Sequence, residues 1–185
     1  ALLAFSAIKN NDKVGLVLFT DQVELFVPPA KGISHVLRLI RDLLSFTPTR
    51  RGTDIGCGLD YLGRVMTRRG VVFLLSDFFA DGYEKQLSIL GRRHDLIAVS
   101  VADRRERQLP DAGLLSLEDA ESGEVLLVDS GDPGVRQRFS QQTEARQQRL
   151  ADRFSRLGID HISLETGRDY MLDLVGFFRK RERRR

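Results

Sequence analysis

The chain has 185 residues, enough for one domain with a sizeable core, and its 42% hydrophobic and 30% charged content is ordinary for a globular protein. No apolar run approaches the ~20 residues of a membrane-spanning helix. A single cysteine, Cys57, excludes an internal disulfide framework and suits a reducing compartment, so a cytoplasmic location is expected.

The net charge of +3 is unevenly placed. Residues 179–185 carry six basic side chains against Glu182, whereas residues 1–178 carry 23 basic and 25 acidic ones. By charge, the body is not a nucleic-acid-binding surface. The basic tail suits the solvated carboxyl end of a helix, where cations oppose the helix dipole. The opening Ala1-Leu2-Leu3-Ala4-Phe5 has no basic n-region, cleavage site or initiator Met, so a cut or processed N-terminus is expected.

Leu2, Leu3, Phe5 and Ile8 recur at helical spacing, so residues 1–9 read as the end of a helix that Asn10-Asn11-Asp12 breaks. Val14 to Phe19 reads as a buried strand. After a Thr20-Asp21 turn, residues 22–27 alternate and should return antiparallel as an edge strand, ended by Pro28-Pro29. Ser34 is the expected N-cap of a helix with Val36, Leu37, Ile40, Leu43 and Leu44 on one face. Thr49 to Gly52 forms a polar loop. Asp54 to Arg69 is the next helix, with Gly70 just past its end.

Val71-Val72-Phe73-Leu74-Leu75-Ser76-Asp77 is apolar on both faces and ends in an acid. That pattern fits a parallel strand buried on both sides, with a carboxylate where open α/β sheets bind ligands. A short helix over Tyr83–Arg92 follows, then a second doubly apolar strand, Asp95 to Val101. Leu114–Leu117 and Val125–Val128 flank a polar turn and form a hairpin. Asp132-Pro133 opens a long, thinly striped helix that Gly158 ends. Ile159 to Leu164 is a final strand. Thr166 with Asp169 resembles a capping box before a last apolar helix. Strands alternate with helices, so the fold class is α/β: a doubly wound, mostly parallel sheet with one antiparallel edge strand, helices on both faces and a small hairpin insertion.

No phosphate-binding glycine loop, dinucleotide fingerprint or Gly-x-Ser-x-Gly elbow is present. His35, His94 and His161 lie in unrelated contexts with no Cys or His at ligand spacing, and His94 and His161, which precede or open strands, are expected in surface or strand-end roles. Cys57, at a helix start, reads either as an activated thiol or as a small packing residue. Thr53 and Asp77 are the metal-site candidates. A hydroxyl and a carboxylate on two loops are hard donors for Mg²⁺, but two donors are too few for a site. Each also has a local alternative, as an N-cap or a turn residue.

The order of motifs adds to this reading: Val-Gly-Leu-Val-Leu-Phe-Thr-Asp, Pro-Pro-Ala-Lys-Gly, Arg51-Gly52-Thr53-Asp54-Ile55, Val-Val-Phe-Leu-Leu-Ser-Asp-Phe, then Leu117 to Glu124. It resembles a von Willebrand factor type A domain, and more specifically the bacterial family numbered fifty-eight among domains of unknown function. The resemblance covers nearly the whole chain and implies one such domain over residues 1–178, with residues 179–185 as a basic tail. It implies a metal-ion-dependent adhesion site in which Thr53 matches the second-loop Thr and Asp77 the third-loop Asp. The Asp-x-Ser-x-Ser loop that supplies most ligands in that family is missing, as is the strand before it. The expectation is therefore a fragment that does not hold Mg²⁺ tightly.

By the same resemblance the expected function is a non-enzymatic protein-interaction module working with a MoxR-type AAA+ ATPase in complex assembly or maturation. Homo-oligomers through exposed strand edges are compatible with it. The alternative is a metal-dependent hydrolase or phosphatase using Asp77, although Phe78 and Phe79 stand where a second acid would be expected. A third reading gives the long Gln/Arg-rich helix and the tail an RNA- or membrane-surface role.

Overall fold

The alternation of Val23, Leu25 and Val27 makes a strand that pairs back onto the apolar run before it. In the computed structural model, which describes residues 2–119 and 123–182, β1 (Val14–Phe19) and β2 (Val23–Ala30) form an antiparallel two-stranded ladder. Leu16 stands opposite Val27 and Leu18 opposite Leu25. β2 runs through Pro28-Pro29 to Ala30 rather than stopping at the prolines. The register shifts between Val14 and Leu16, and proline, lacking an N–H, is tolerated at such an irregularity. Gly15 makes room there, since a Cβ would lie 3.0 Å from the Val27 carbonyl and from Pro29. β1 is half-buried rather than buried, because a two-stranded ladder covers little of its own surface.

This ladder belongs to the first of two compact units, Ala1–Thr67. α1 (Leu2–Lys9) packs on α2 (Ile33–Leu44), and α2 and α3 (Ile55–Val65) pack on β1. Ser34 is not the N-cap of α2. Gly32, at φ 96°, precedes the first helical residue, and Ser34 lies inside the helix. His35 ties α2 to β1 through Nε2 to the Val14 carbonyl at 2.8 Å. α3 ends at Val65, earlier than the periodicity suggested, with Met66 turning extended.

The second unit, Arg68–Arg185, is built on β3 (Val71–Ser76), β4 (Asp95–Ala102) and β7 (Asp160–Glu165), parallel in the order β3-β4-β7. Gly70 caps no helix here; its carbonyl accepts the Asp95 N–H at the foot of β3 and β4. β4 is the central strand, with Leu96, Ile97, Ala98, Val99 and Ser100 all buried. β3 is not buried on both faces. Val72 and Leu74 point inward, but Val71 and Leu75 are each 56% exposed, because β3 ends the sheet; Phe73 on that face packs edge-on to Phe178.

α4 (Glu84–Arg93) buries Leu87 and Leu90 against β4. β5 (Leu114–Glu118) and β6 (Val125–Asp129) form the expected hairpin. Part of its turn, residues 120–122, lies outside the described residues, as do Arg183, Arg184 and Arg185 of the tail. α5 (Pro133–Arg156) opens as expected: Asp132 accepts the Gly134 N–H at 2.7 Å and Pro133 takes the first turn. Its narrow apolar seam seats Phe154, fully buried, against Phe78 and His161.

Thr166 makes no capping box. Its hydroxyl donates to Asp103 Oδ2 at 2.6 Å across the sheet edge, and Asp169 alone accepts the Met171 N–H ahead of α6 (Met171–Glu182). Residues 179–182 are the last turn of α6. There Arg181 bridges Asp95 and Asp160, the first residues of β4 and β7.

Candidate functional site

The carboxyl end of β3 turns through four residues held by their own side chains. Ser76 Oγ accepts the Phe78 N–H at 3.0 Å, and Asp77 Oδ1 accepts the Phe79 N–H at 3.0 Å. Such side chain to backbone bonds replace the strand ladder where the strand stops. Phe78 sits at φ 57°, a conformation that costs a bulky residue about 1–3 kcal/mol. Packing supports that strain: Phe78 is buried, with its ring 5.1 Å from Phe154 and 6.0 Å from Tyr83.

Arg146, on α5, completes the turn. Its Nη2 donates to the Phe78 carbonyl at 3.1 Å, and its guanidinium carbon lies 3.4 Å from the Phe79 ring centroid. Burial lowers the Arg146 pKa, while the Asp77 and Asp81 carboxylates act in the opposite sense. The result is an exposed carboxylate at a fixed position, a guanidinium beside it, and two exposed apolar neighbours, Leu75 and Phe79. That combination can recognise a partner carrying both charge and apolar surface; it offers no paired acid and base for proton transfer.

Further along the same sheet edge, Asp103 follows β4 and Thr166 follows β7. Asp103 is lowered in pKa, first by the Thr166 hydroxyl and then by the Arg105 N–H. Arg107 donates to Ser163 Oγ at 3.2 Å and pairs with Glu165 at 3.3 Å. These groups pair with one another within the edge, although the buried Arg107 Nε has no hydrogen-bond partner.

Thr53 belongs to the first unit, in the loop ahead of α3. The N-cap of α3 is Asp54, which accepts the Cys57 N–H at 3.0 Å, so Thr53 is not the capping residue. The loop is latched to the β1–β2 turn. Thr49 and Thr20 both donate to Glu24, at 2.7 and 2.9 Å, Arg50 pairs with Asp21 at 3.1 Å, and the Asp54 N–H reaches the Thr20 carbonyl. The Thr49 hydroxyl, ahead of other causes, lowers the Glu24 pKa.

Thr53 and Asp77 therefore lie in different units, each on a loop held by its own neighbours. As metal donors they supply one hydroxyl and one carboxylate, and Asp77 Oδ1 already accepts the Phe79 N–H at 3.0 Å. Magnesium demands near-octahedral coordination at close range, and these residues do not by themselves fit it. Among the described residues, no group of three or more His, Cys, Asp or Glu side chains could hold a metal ion. His35 bonds β1 and His161 Nε2 meets Ser100 Oγ at 2.9 Å, whereas His94 is not at the surface but buried with both ring nitrogens unpartnered. Arg146 and the Glu24 latch have no local signature, since Arg146 is one arginine among several on α5 and Glu24 is one polar residue of an alternating strand.

The profile of the family described as "Protein of unknown function DUF58" matches residues 1–149. The chain belongs to the DUF58 family. An uncharacterized protein of Mycobacterium tuberculosis (strain H37Rv) is 30% identical over 186 residues, covering 99% of this chain and 58% of its own length. This DUF58 chain thus spans less than two thirds of that relative. An uncharacterized protein of Mycobacterium avium is 31% identical over 160 residues, which is 84% of this chain and 94% of that protein. The crystal structure of an aerotolerance-related membrane protein from Bacteroides fragilis matches with a TM-score of 0.54 at 15% identity, over 98% of this chain and 84% of that one. That likeness concerns the fold alone.

Proposed function

We propose that this DUF58 chain is a non-enzymatic protein-interaction module with a doubly wound, von Willebrand factor A-like architecture, and that it docks a MoxR-type AAA+ ATPase during complex assembly or maturation. The observation that carries this reading is the Asp77 turn. A charged group is held at the carboxyl edge of a parallel sheet by strained backbone, two side-chain caps and Arg146. Rigid presentation lowers the ordering cost of binding, and a charge beside exposed apolar side chains suits a protein partner. The alternation of strands and helices and the Arg51-Gly52-Thr53-Asp54 loop support the architecture. Thr53 and Asp77 are the residues that match adhesion-site positions, and any Mg²⁺ there would need most of its ligands from outside this pair.

Asp77→Asn is the informative variant, because the amide oxygen still accepts the Phe79 N–H while the charge is gone. Recovery of the ATPase on the immobilised chain is expected to fall at least about tenfold, equivalent to ~1.4 kcal/mol. Equal recovery by both proteins would remove Asp77 from the docking surface.

A further inference from the structure

α5 carries six arginines, and the fold uses three of them. Arg136 donates to the Ser130 and Gly131 carbonyls, Arg146 donates to the Phe78 carbonyl, and Arg153 pairs with Glu84. Arg138, Arg149 and Arg156 are exposed, and among the described residues none of them has a hydrogen-bond or ion-pair partner. Arg138 and Arg149 are separated by three turns of helix to within about 20°, so they lie on one line, about 16.5 Å apart along the axis.

Ala145 lies on the same line between them, with Gln141 to one side and Gln142 to the other. These five residues line a shallow groove of about 280 Å³. The small side chain at 145 keeps the middle of the groove open. The acids of α5 stand off this line. Glu144 is turned about 100° from Ala145, and Asp152, a turn past Arg149, accepts Gln148 Nε2 at 2.9 Å.

We propose that this groove binds an extended acidic segment of a partner protein. A guanidinium holds a carboxylate through two parallel hydrogen bonds, and a glutamine amide offers both a donor and an acceptor to an extended backbone. In an extended chain, side chains four residues apart point the same way and lie about 14 Å apart, a spacing that two arginines on one helix line can meet. Peptide suits the groove better than nucleic acid does. None of its five lining residues is aromatic, so bases have no stacking platform. Residues 1–178 also carry 25 acidic side chains against 23 basic ones, so no wide positive field attracts a polyphosphate. The groove uses neither Asp77 nor a metal, so it stands apart from ATPase docking.

Exposed arginine–carboxylate pairs are individually weak and screened by salt, so binding is read at low ionic strength. Fluorescence anisotropy of fluorescein-labelled hexaglutamate, titrated with the whole chain, should show saturable binding with a dissociation constant on the order of 0.1 mM. Arg138→Gln and Arg149→Gln should each weaken it about three- to fivefold, at an unchanged urea midpoint because neither side chain holds the fold. Ala145→Glu sets a carboxylate between the two guanidiniums and should remove binding. Arg92→Gln takes one charge from an exposed position on α4 and should leave binding as it was. Failure of hexaglutamate to bind, equal weakening by Arg92→Gln, or tighter binding of hexauridylate, a nucleic acid of similar charge, overturns the proposal.

Discussion

Phe19 and Gly58 illustrate how a residue type is chosen by a neighbour rather than by its own helix. A Cβ on Gly58 would lie 2.7 Å from Phe19 Cδ1 and 2.8 Å from Cγ, the root of a ring that cannot swing clear. Glycine in a helix interior otherwise costs about 1 kcal/mol against alanine, so the close approach outweighs propensity. Gly58→Ala is expected to destabilise the chain by about 1–3 kcal/mol through overpacking, measured by urea unfolding. An unchanged or raised midpoint would show that α3 does not bear on β1 this closely.

His94 gives the second test at this scale. Burial, followed by the charges of Arg93 and Arg69, lowers its pKa below 6.5, and burial lowers that of His161. The unfolded chain therefore binds these protons more readily than the folded one. The stability they contribute is complete above about pH 6.5 and is lost as the pH falls through that value toward the lowered folded pKa. His94→Leu removes two unpartnered buried nitrogens as well as the titration. Unfolding midpoints between pH 7.5 and 5 should then decline less steeply than for the unsubstituted chain. An equal slope would mean that His94 does not titrate with folding.

Among the elements, α6 is a clamp on the sheet rather than the start of a solvated tail. Its last turn inserts Arg181, 14% exposed, between the carboxylates that open β4 and β7. Leu174 and Phe178 supply the apolar part of the contact. Removing one partner from a largely buried charged group costs more than a surface ion pair contributes. Arg181→Ala should therefore lower stability by about 1–3 kcal/mol and release protection first in α6, read by hydrogen exchange. Protection lost uniformly across the second unit would make α6 part of its cooperative core.

At this scale the apolar rhythm was legible. β1, the hairpin, α5 with its Asp132-Pro133 start, and the burial of Leu87 and Leu90 on α4 all follow from local pattern. Apart from the burial of β3, which covers one face only, the misplaced features sit at boundaries. Gly32 rather than Ser34 precedes α2, Asp54 rather than Thr53 caps α3, and β2 continues through its prolines. In each case several neighbouring residues satisfy the same local rule, and a register or turn elsewhere selects among them.

For the molecule as a whole, the site depends on how much metal chemistry its loops can support. Two oxygen donors with a guanidinium beside one of them hold a dication poorly. Calorimetry of this chain with Mg²⁺ is expected to show no binding tighter than about millimolar. A micromolar site abolished by Asp77→Asn would overturn the expectation that this chain does not hold Mg²⁺ tightly.

The sequence by itself determined that β3 is an apolar strand ending in an acid and that helices alternate with strands; that only the Val72 and Leu74 face of β3 is core was decided by the fold. Side-chain periodicity reports backbone conformation and facing directly. Only the tertiary structure decided that β4 rather than β3 is the central strand, that Arg146 holds the turn beside Asp77, that Thr166 answers Asp103, and that Arg181 closes the foot of the sheet. Those partners lie 68, 63 and 86 residues apart in sequence. Such pairs are selected by packing in three dimensions, which no local pattern records.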